Sequence, residues 1–287
     1  MLRKTTEFFI YSNIYVSVCV VALCQSTAIV LGISQCRILP FVFFSTLFAY
    51  NFQRLIRFNP NKMQASHLKW MTKHRNFIVS ITIISMLLSI YYAFNLSTTA
   101  LFFLIPASII SLLYPLKLFS VESEKISLRE LPYLKIFLIA VVWSIVSVCL
   151  VIEEHTMLFS LDVLLLFLSR FCFVIAITIP FDIRDLKCDD FSLKTIPQLY
   201  GEEKAKTIAF YSLAAFELFS IIHFFIGDFS IFILLALLLC SVLTAILIFK
   251  SSQEKNTFYF SFWVEGASIL MLLLIFIIPL AFGIFVP

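Results

Sequence analysis

"IPFDIRDLKCDDFSLKTIPQLYG", residues 179–201, sets Asp182, Asp185, Asp189 and Asp190 within nine positions, directly behind a long apolar run. Continued as a helix, the segment places Asp185 about −60° from Asp182 and Asp189 about +40° from Asp185. Those three acids then share one face, and Asp190 points elsewhere. Like charges at helical spacing repel, and the C-terminal end of a helix favours cations. Packing alone does not select such a cluster. A divalent cation reverses the balance, and hard oxygen donors beside a membrane suit Mg²⁺, which keeps waters and borrows ligands from substrate phosphates. The competing reading is a solvated acidic loop paired with Arg184, Lys187 and Lys194.

The surroundings of that stretch are greasy. Of 287 residues, 61% are hydrophobic and 13% charged, with 34 phenylalanines and five glycines. Soluble domains carry about 25% charge, so lipid is the solvent for most of this chain. A helical span needs roughly 20 mostly apolar residues. Nine stretches qualify: 10–33, 38–56, 77–95, 98–115, 133–151, 159–181, 206–226, 229–249 and 258–284. Their continuous apolar character predicts helices rather than the alternating strands of a membrane barrel. The expectation is an all-α polytopic membrane protein forming a single domain, 1–287.

With the N-terminus in the cytoplasm, 19 of the 21 Lys and Arg residues fall on the inner side, Arg37 falls outside and Arg170 lies within a span. That bias sets the orientation and places the acidic cluster on the cytoplasmic face. The longer loops, 54–76, 116–132 and 182–205, gather on the same face and carry the polar chemistry. The seven cysteines form no CxxC pair, and the four histidines show no ligand spacing. A net charge of +4 is accounted for by inner loops beside anionic membrane lipids, with no nucleic-acid patch.

"DIRDLKCDD" followed by "LKTIPQLYG" resembles the second aspartate-rich motif of the UbiA superfamily of intramembrane prenyltransferases, RDxxxDxxxGxxTLxxxxG. Arg184, Asp185 and Asp189 fall in register, Lys194, Thr195 and Gly201 follow with Thr195 and Gly201 one position short of the motif's threonine and glycine, and Asp182 takes the preceding acid or amide position. "LLYPLKLF", with Tyr114 and Lys117, resembles the family's tyrosine and basic residues after the fourth span, and "LRELPYLKIF" the opening of its fifth helix. The resemblance implies nine helices bundled around a central, lipid-accessible cavity in an integral membrane protein, read as one of the bacterial inner membrane. It implies a polyprenyl diphosphate whose head sits at Mg²⁺ and whose allylic cation is captured by an aromatic or other lipophilic acceptor. Asp182, Asp185 and Asp189 would be catalytic through metal binding, with Asn51 completing the set. Lys194, Arg54, Arg184, Lys117 and Arg57 would contact the diphosphate, and Tyr114 would line the cavity.

One departure is large. The family's first motif, NxxxDxxxD, should close the second span, but "YNFQRLIRFNP" retains Asn51 and sets Leu55 and Asn59 at the two aspartate positions. A guanidinium from Arg54 could hold phosphate oxygens where a second Mg²⁺ would sit; alternatively both arginines anchor the span to lipid phosphates. Arg170, Glu217 and Glu265 are intramembrane charges that need partners. An Arg170–Glu217 pair and a place in the acceptor cavity are both open for the first two. A UbiA-like isoprenoid-binding protein without turnover is the alternative function. An ion-coupled transporter is disfavoured, because the acids lie at a helix end and not at the midplane.

Overall fold

A computed structural model of the chain describes residues 2–33, 37–57, 65–121, 124–131, 133–152, 160–187, 189, 193–227 and 229–283. Asn59 and Asp190 lie outside the described residues, as do parts of the three inner loops. The architecture is all-helical apart from one small hairpin. Helices α1 (Leu2–Tyr11), α2 (Ile14–Val30), α3 (Leu39–Ile56), α4 (Ala65–Lys73), α5 (Arg75–Ala93) and α6 (Thr98–Leu113) precede strands β1 (Phe119–Val121) and β2 (Glu124–Ile126). Then come α7 (Leu134–Ser144), α8 (Leu161–Asp185), α9 (Ile196–Tyr200), α10 (Glu202–Ile226), α11 (Ile231–Phe249) and α12 (Ala267–Ala281). Two wider π turns, Ile145–Cys149 and Tyr259–Val264, extend α7 and introduce α12.

Among the described residues, five helical segments are long and apolar enough to cross a membrane: α5, α8, α10, α11 and Tyr259–Ala281. A sixth arises if α1 and α2, bent by 72° against each other, count as one broken span. Thr98–Leu113 and Leu134–Cys149 are shorter apolar helices. Outward faces carry large apolar side chains such as Phe94, Phe102, Tyr211 and Phe225. Helices satisfy their own backbone polar groups, so such faces are at home in hydrocarbon. The protein is an integral membrane protein.

The helices close into a ring. α2 packs on α3, α3 on α5 and α6, α6 on α7, α7 on α8, α8 on α10, α10 on α11, α11 on α12, and α12 returns to α2. Arg170 helps close it. Wholly buried on α8, its guanidinium donates to Ser26 Oγ at 2.9 Å and lies against Thr27 Oγ1 and Met271 Sδ, joining α8 to α2 and α12. The expected partner Glu217 is not among these contacts. It is half-buried on α10, and no ion pair involving it occurs among the described residues.

The break between α1 and α2 has a local cause. Asn13 takes a left-handed φ of 64°, which asparagine tolerates better than most residues. Its amide donates to Asn51 Oδ1 at 2.9 Å, and Asn51 Nδ2 donates to Ser12 O and Leu47 O, both at 3.0 Å. Arg54 donates to Tyr11 O and, at 2.5 Å, to Asn13 Oδ1. One end of α3 therefore holds the kink of the first span.

Candidate functional site

Inside the ring is a cavity of about 1640 Å³. Its apolar wall includes Val16 and Val20 of α2, Phe41 of α3, Leu104 of α6 and Val174 and Ile177 of α8. One end is ionic. Asp182, Asp185, Asp189 and Arg184 reach it from the end of α8, Arg129 from the approach to α7, Lys135 from the first turn of α7, and Arg54, Arg57 and Lys117 from the ends of α3 and α6.

The acids come to this end because α8 continues past Pro180 to Asp185, and Asp189 N still donates to Asp185 O at 2.8 Å. Asp189 is also approached from behind. Thr195 caps α9 in a reciprocal box with Gln198, whose Nε2 lies 3.4 Å from Asp189 O. Gly201 then turns the chain into α10 at φ 82°, a backbone state costly for side chains other than glycine's.

The charges pair closely. Lys135 Nζ lies 2.6 Å from Asp182 Oδ1 and 2.7 Å from Asp189 Oδ2. The second contact is a hydrogen bond. The first is a buried ion pair, and the other oxygen of Asp182, a residue only 1% exposed, has no hydrogen-bond partner. Arg129 Nη2 sits 3.5 Å from Asp189 Oδ1. Asp185 is taken by its neighbour Arg184 in a two-pronged contact, Nε–Oδ1 2.8 Å and Nη2–Oδ2 2.9 Å. The Arg184 guanidinium also lies 5.0 Å from the Phe181 ring centre and 5.8 Å from that of Phe260.

Three solved structures share this architecture. A UbiA homologue from Archaeoglobus fulgidus, bound to GPP and Mg²⁺, superimposes with a TM-score of 0.68 at 13% identity, covering 94% of this chain and 98% of its own. A digeranylgeranylglyceryl phosphate synthase gives 0.59 at 15%, covering 95% and 97%, and an apo UbiA homologue from Aeropyrum pernix K1 gives 0.57 at 16%, covering 96% and 97%. The chain has the UbiA fold. No family model and no curated protein matches it by sequence.

Within the UbiA fold of this chain, the sequence-derived residues divide. Asp182, Asp185, Asp189, Arg184, Arg54, Arg57, Lys117 and Tyr114 all line the cavity. Asn51, expected as a metal ligand, does not: it is fully buried, its oxygen accepts from Asn13 and both amide hydrogens go to backbone carbonyls. Lys194, expected at the diphosphate, is exposed and outside the wall, because the chain passes it at φ 46° to begin α9. Arg170 and Glu217 are likewise not wall residues; one is consumed by the ring closure and the other sits elsewhere on α10.

Sequence reading missed Lys135 and Arg129 as site residues. Both sit in "LRELPYLKIF", the stretch likened to the opening of the fifth helix, so the signal was present. Ser127 and Glu130 form a capping box around Arg129 that settles its backbone. Glu265 was also passed over as a cavity residue. It lines the wall at the end of the second π turn, in a place made by Gly266, where an added β-carbon would meet Phe262 O at 2.3 Å and Tyr15 Oη at 2.4 Å.

The donor set suits one hard cation. Asp182 and Asp189 converge on one point, occupied by an ammonium, and Asp182 Oδ2 is buried without a hydrogen bond. Among the described residues the end of α3 offers no carboxylate for a second ion: Leu55 stands there and Asn51 is spent on the kink. Among the described residues, no three Asp, Glu, His or Cys side chains gather closely enough to hold a metal together. Any ion bound by the pair would take its remaining ligands from water or phosphate, as magnesium usually does.

Proposed function

We propose that the protein is a UbiA-type prenyltransferase that moves a polyprenyl group from its diphosphate to a lipophilic acceptor with Mg²⁺ assistance. The observation that carries this reading is the convergence of Asp182 and Asp189 at the ionic end of a long apolar cavity. The UbiA fold supports it, and a homologue of that fold was solved with GPP and Mg²⁺. In this reading the chain is one domain of nine crossings with a cytoplasmic N-terminus, and the ionic end faces the cytoplasm beside the basic loops.

Asp182 and Asp189 would hold the metal, with Asp185 beside them. Bound there, the ion would offset charge on the departing diphosphate. The chain's own residues do the rest. Arg54, Lys117, Arg129 and Arg184 offer donors to phosphate oxygens, and Arg54 is already aimed by Tyr11 and Asn13. The apolar wall takes the isoprenoid tail and keeps water from the allylic cation. Tyr50 and Trp143, joined by an Nε1–Oη hydrogen bond of 3.1 Å, place aromatic surface along the same wall, where ring faces favour a cation.

The test is pyrophosphate release from radiolabelled geranyl and longer polyprenyl diphosphates by purified protein in detergent, with Mg²⁺ or chelator and a panel of aromatic and glycerol-lipid acceptors. Release that requires Mg²⁺ and disappears in Asp189→Asn supports the reading. Saturable binding of the diphosphates without turnover under any condition replaces it with the second reading, an isoprenoid-binding protein; the leucine at position 55 and the use of Asn51 at the kink favour that alternative.

A further inference from the structure

The two helices that meet at the ionic end each carry the wrong charge for their terminus. Lys135 lies in the first turn of α7, whose partial charge is positive, and Asp182 and Asp185 lie in the last turn of α8, whose partial charge is negative. Each is unfavourable alone, and they are brought together. Lys135 is 8% exposed and Asp182 1%, so neither charge is relieved by solvent. A buried charge is retained only when paired, and one ammonium here serves two carboxylates.

That ammonium stands where Asp182 and Asp189 converge. We infer that Lys135 is an exchangeable counter-ion of the head site: it neutralises Asp182 and Asp189 until a divalent cation takes them, and its freed ammonium then turns to the diphosphate. This rests on the proposed metal and diphosphate site. The geometry favours exchange over a permanent ion pair for three reasons. Lys135 is the one cation paired with Asp182 among the described residues, and Asp182 Oδ2 is buried without a hydrogen bond, so an entering ion meets an unsatisfied oxygen. Asp189 keeps a second cation, Arg129 at 3.5 Å, and is not left bare when Lys135 departs. Lys135 itself lines the cavity, on a flexible four-carbon stem that can swing its ammonium into the space beside it. Arg184 is no equivalent competitor. Its two-pronged grip on Asp185 and the neighbouring phenylalanines hold it in place.

Mn²⁺ alone, followed by electron paramagnetic resonance on the purified full-length protein, reads the exchange without turnover. Lys135→Met should bind Mn²⁺ at least about fivefold more tightly than wild type, while inorganic pyrophosphate binding in the presence of Mn²⁺ weakens. A merely structural lysine would loosen both on removal, and that result, or an unchanged Mn²⁺ affinity, overturns the inference. Wild-type protein supplies a test that needs no variant: acetylation of Lys135, quantified by mass spectrometry, should rise when Mn²⁺ is added and fall when pyrophosphate follows. Labelling indifferent to Mn²⁺ overturns it equally. Wild-type protein that binds neither Mn²⁺ nor pyrophosphate overturns the head site itself; binding of both that no Lys135 change affects overturns only the exchange.

Discussion

The end of α3 and the end of α8 face one another across the same cavity mouth and use their polar residues oppositely. At α3, Asn51 and Arg54 turn to the kink between α1 and α2, so their hydrogen bonds serve the shape of the first span. At α8, Asp182 and Asp189 turn inward onto Lys135, and Asp182 Oδ2 has no hydrogen bond. The hydrogen bonds of Asn51 are architecture. The α8 carboxylates are held by one shared ammonium, a contact that an entering cation can replace charge for charge. The two ends are thus unequal: Asn51 holds the fold, and in the proposed reading the α8 acids hold the chemistry.

The contrast breaks if the α8 end proves dispensable. Asp182→Asn removes a charge from the convergent pair, and Mg²⁺-dependent pyrophosphate release should fall by about 100-fold or more, since even outer-shell changes at metal sites cost about 10- to 100-fold. Steady-state release with geranyl diphosphate measures it. A smaller loss is expected from Arg54→Ala, which removes a charged donor from the cavity mouth: about tenfold weaker binding of the diphosphate, in line with about 1.5 kcal/mol for a charged hydrogen bond, read by competition with inorganic pyrophosphate.

For Asn51, at the α3 end, the expected cost lies in stability. Asn51→Ala strands the Asn13 amide and the Ser12 carbonyl, and should destabilise the protein by about 1–3 kcal/mol with Mn²⁺ affinity unchanged; thermal unfolding in detergent and Mn²⁺ titration separate the two. If Mn²⁺ affinity fell with stability intact, Asn51 would be a ligand after all and the contrast would collapse. The smallest effect belongs to Lys194→Ala. Its side chain is exposed and outside the wall, so stability should shift by less than about 0.5 kcal/mol and diphosphate affinity by less than twofold. A large loss of affinity would return Lys194 to the head site.

Much of the α8 end was legible along the chain. DxxDxxxD is a local pattern: α8 ends at Asp185, short of the expected continuation, and one Asp189 N–Asp185 O hydrogen bond brings the third acid to the same end. The same holds for Arg184 beside Asp185. The α3 end was not legible in that way. Asn51 stands in register with a metal-binding motif, yet its amide is spent on Ser12 and Asn13, 39 and 38 residues earlier. Nothing in the spacing of "YNFQRLIRFNP" announces that partner. Lys135 was hidden for a related reason: 54 positions separate it from Asp189, and a lysine at a helix start reads as an ordinary interfacial anchor. Arg170 was noticed as a charge in a span, but the groups that accept from it are neutral, Ser26 and Thr27, and neutral partners leave no charge pattern to find.

By itself the sequence determined the solvent, the helical character and the acidic face, because these follow from composition and from a 3.6-residue period that acts within one segment. Tertiary structure alone decided which cation meets which carboxylate, which asparagine is consumed by a kink and which side chains reach the cavity. Those outcomes depend on where α2, α3, α7 and α8 are brought together, and a pairing across tens of residues leaves no trace in local spacing.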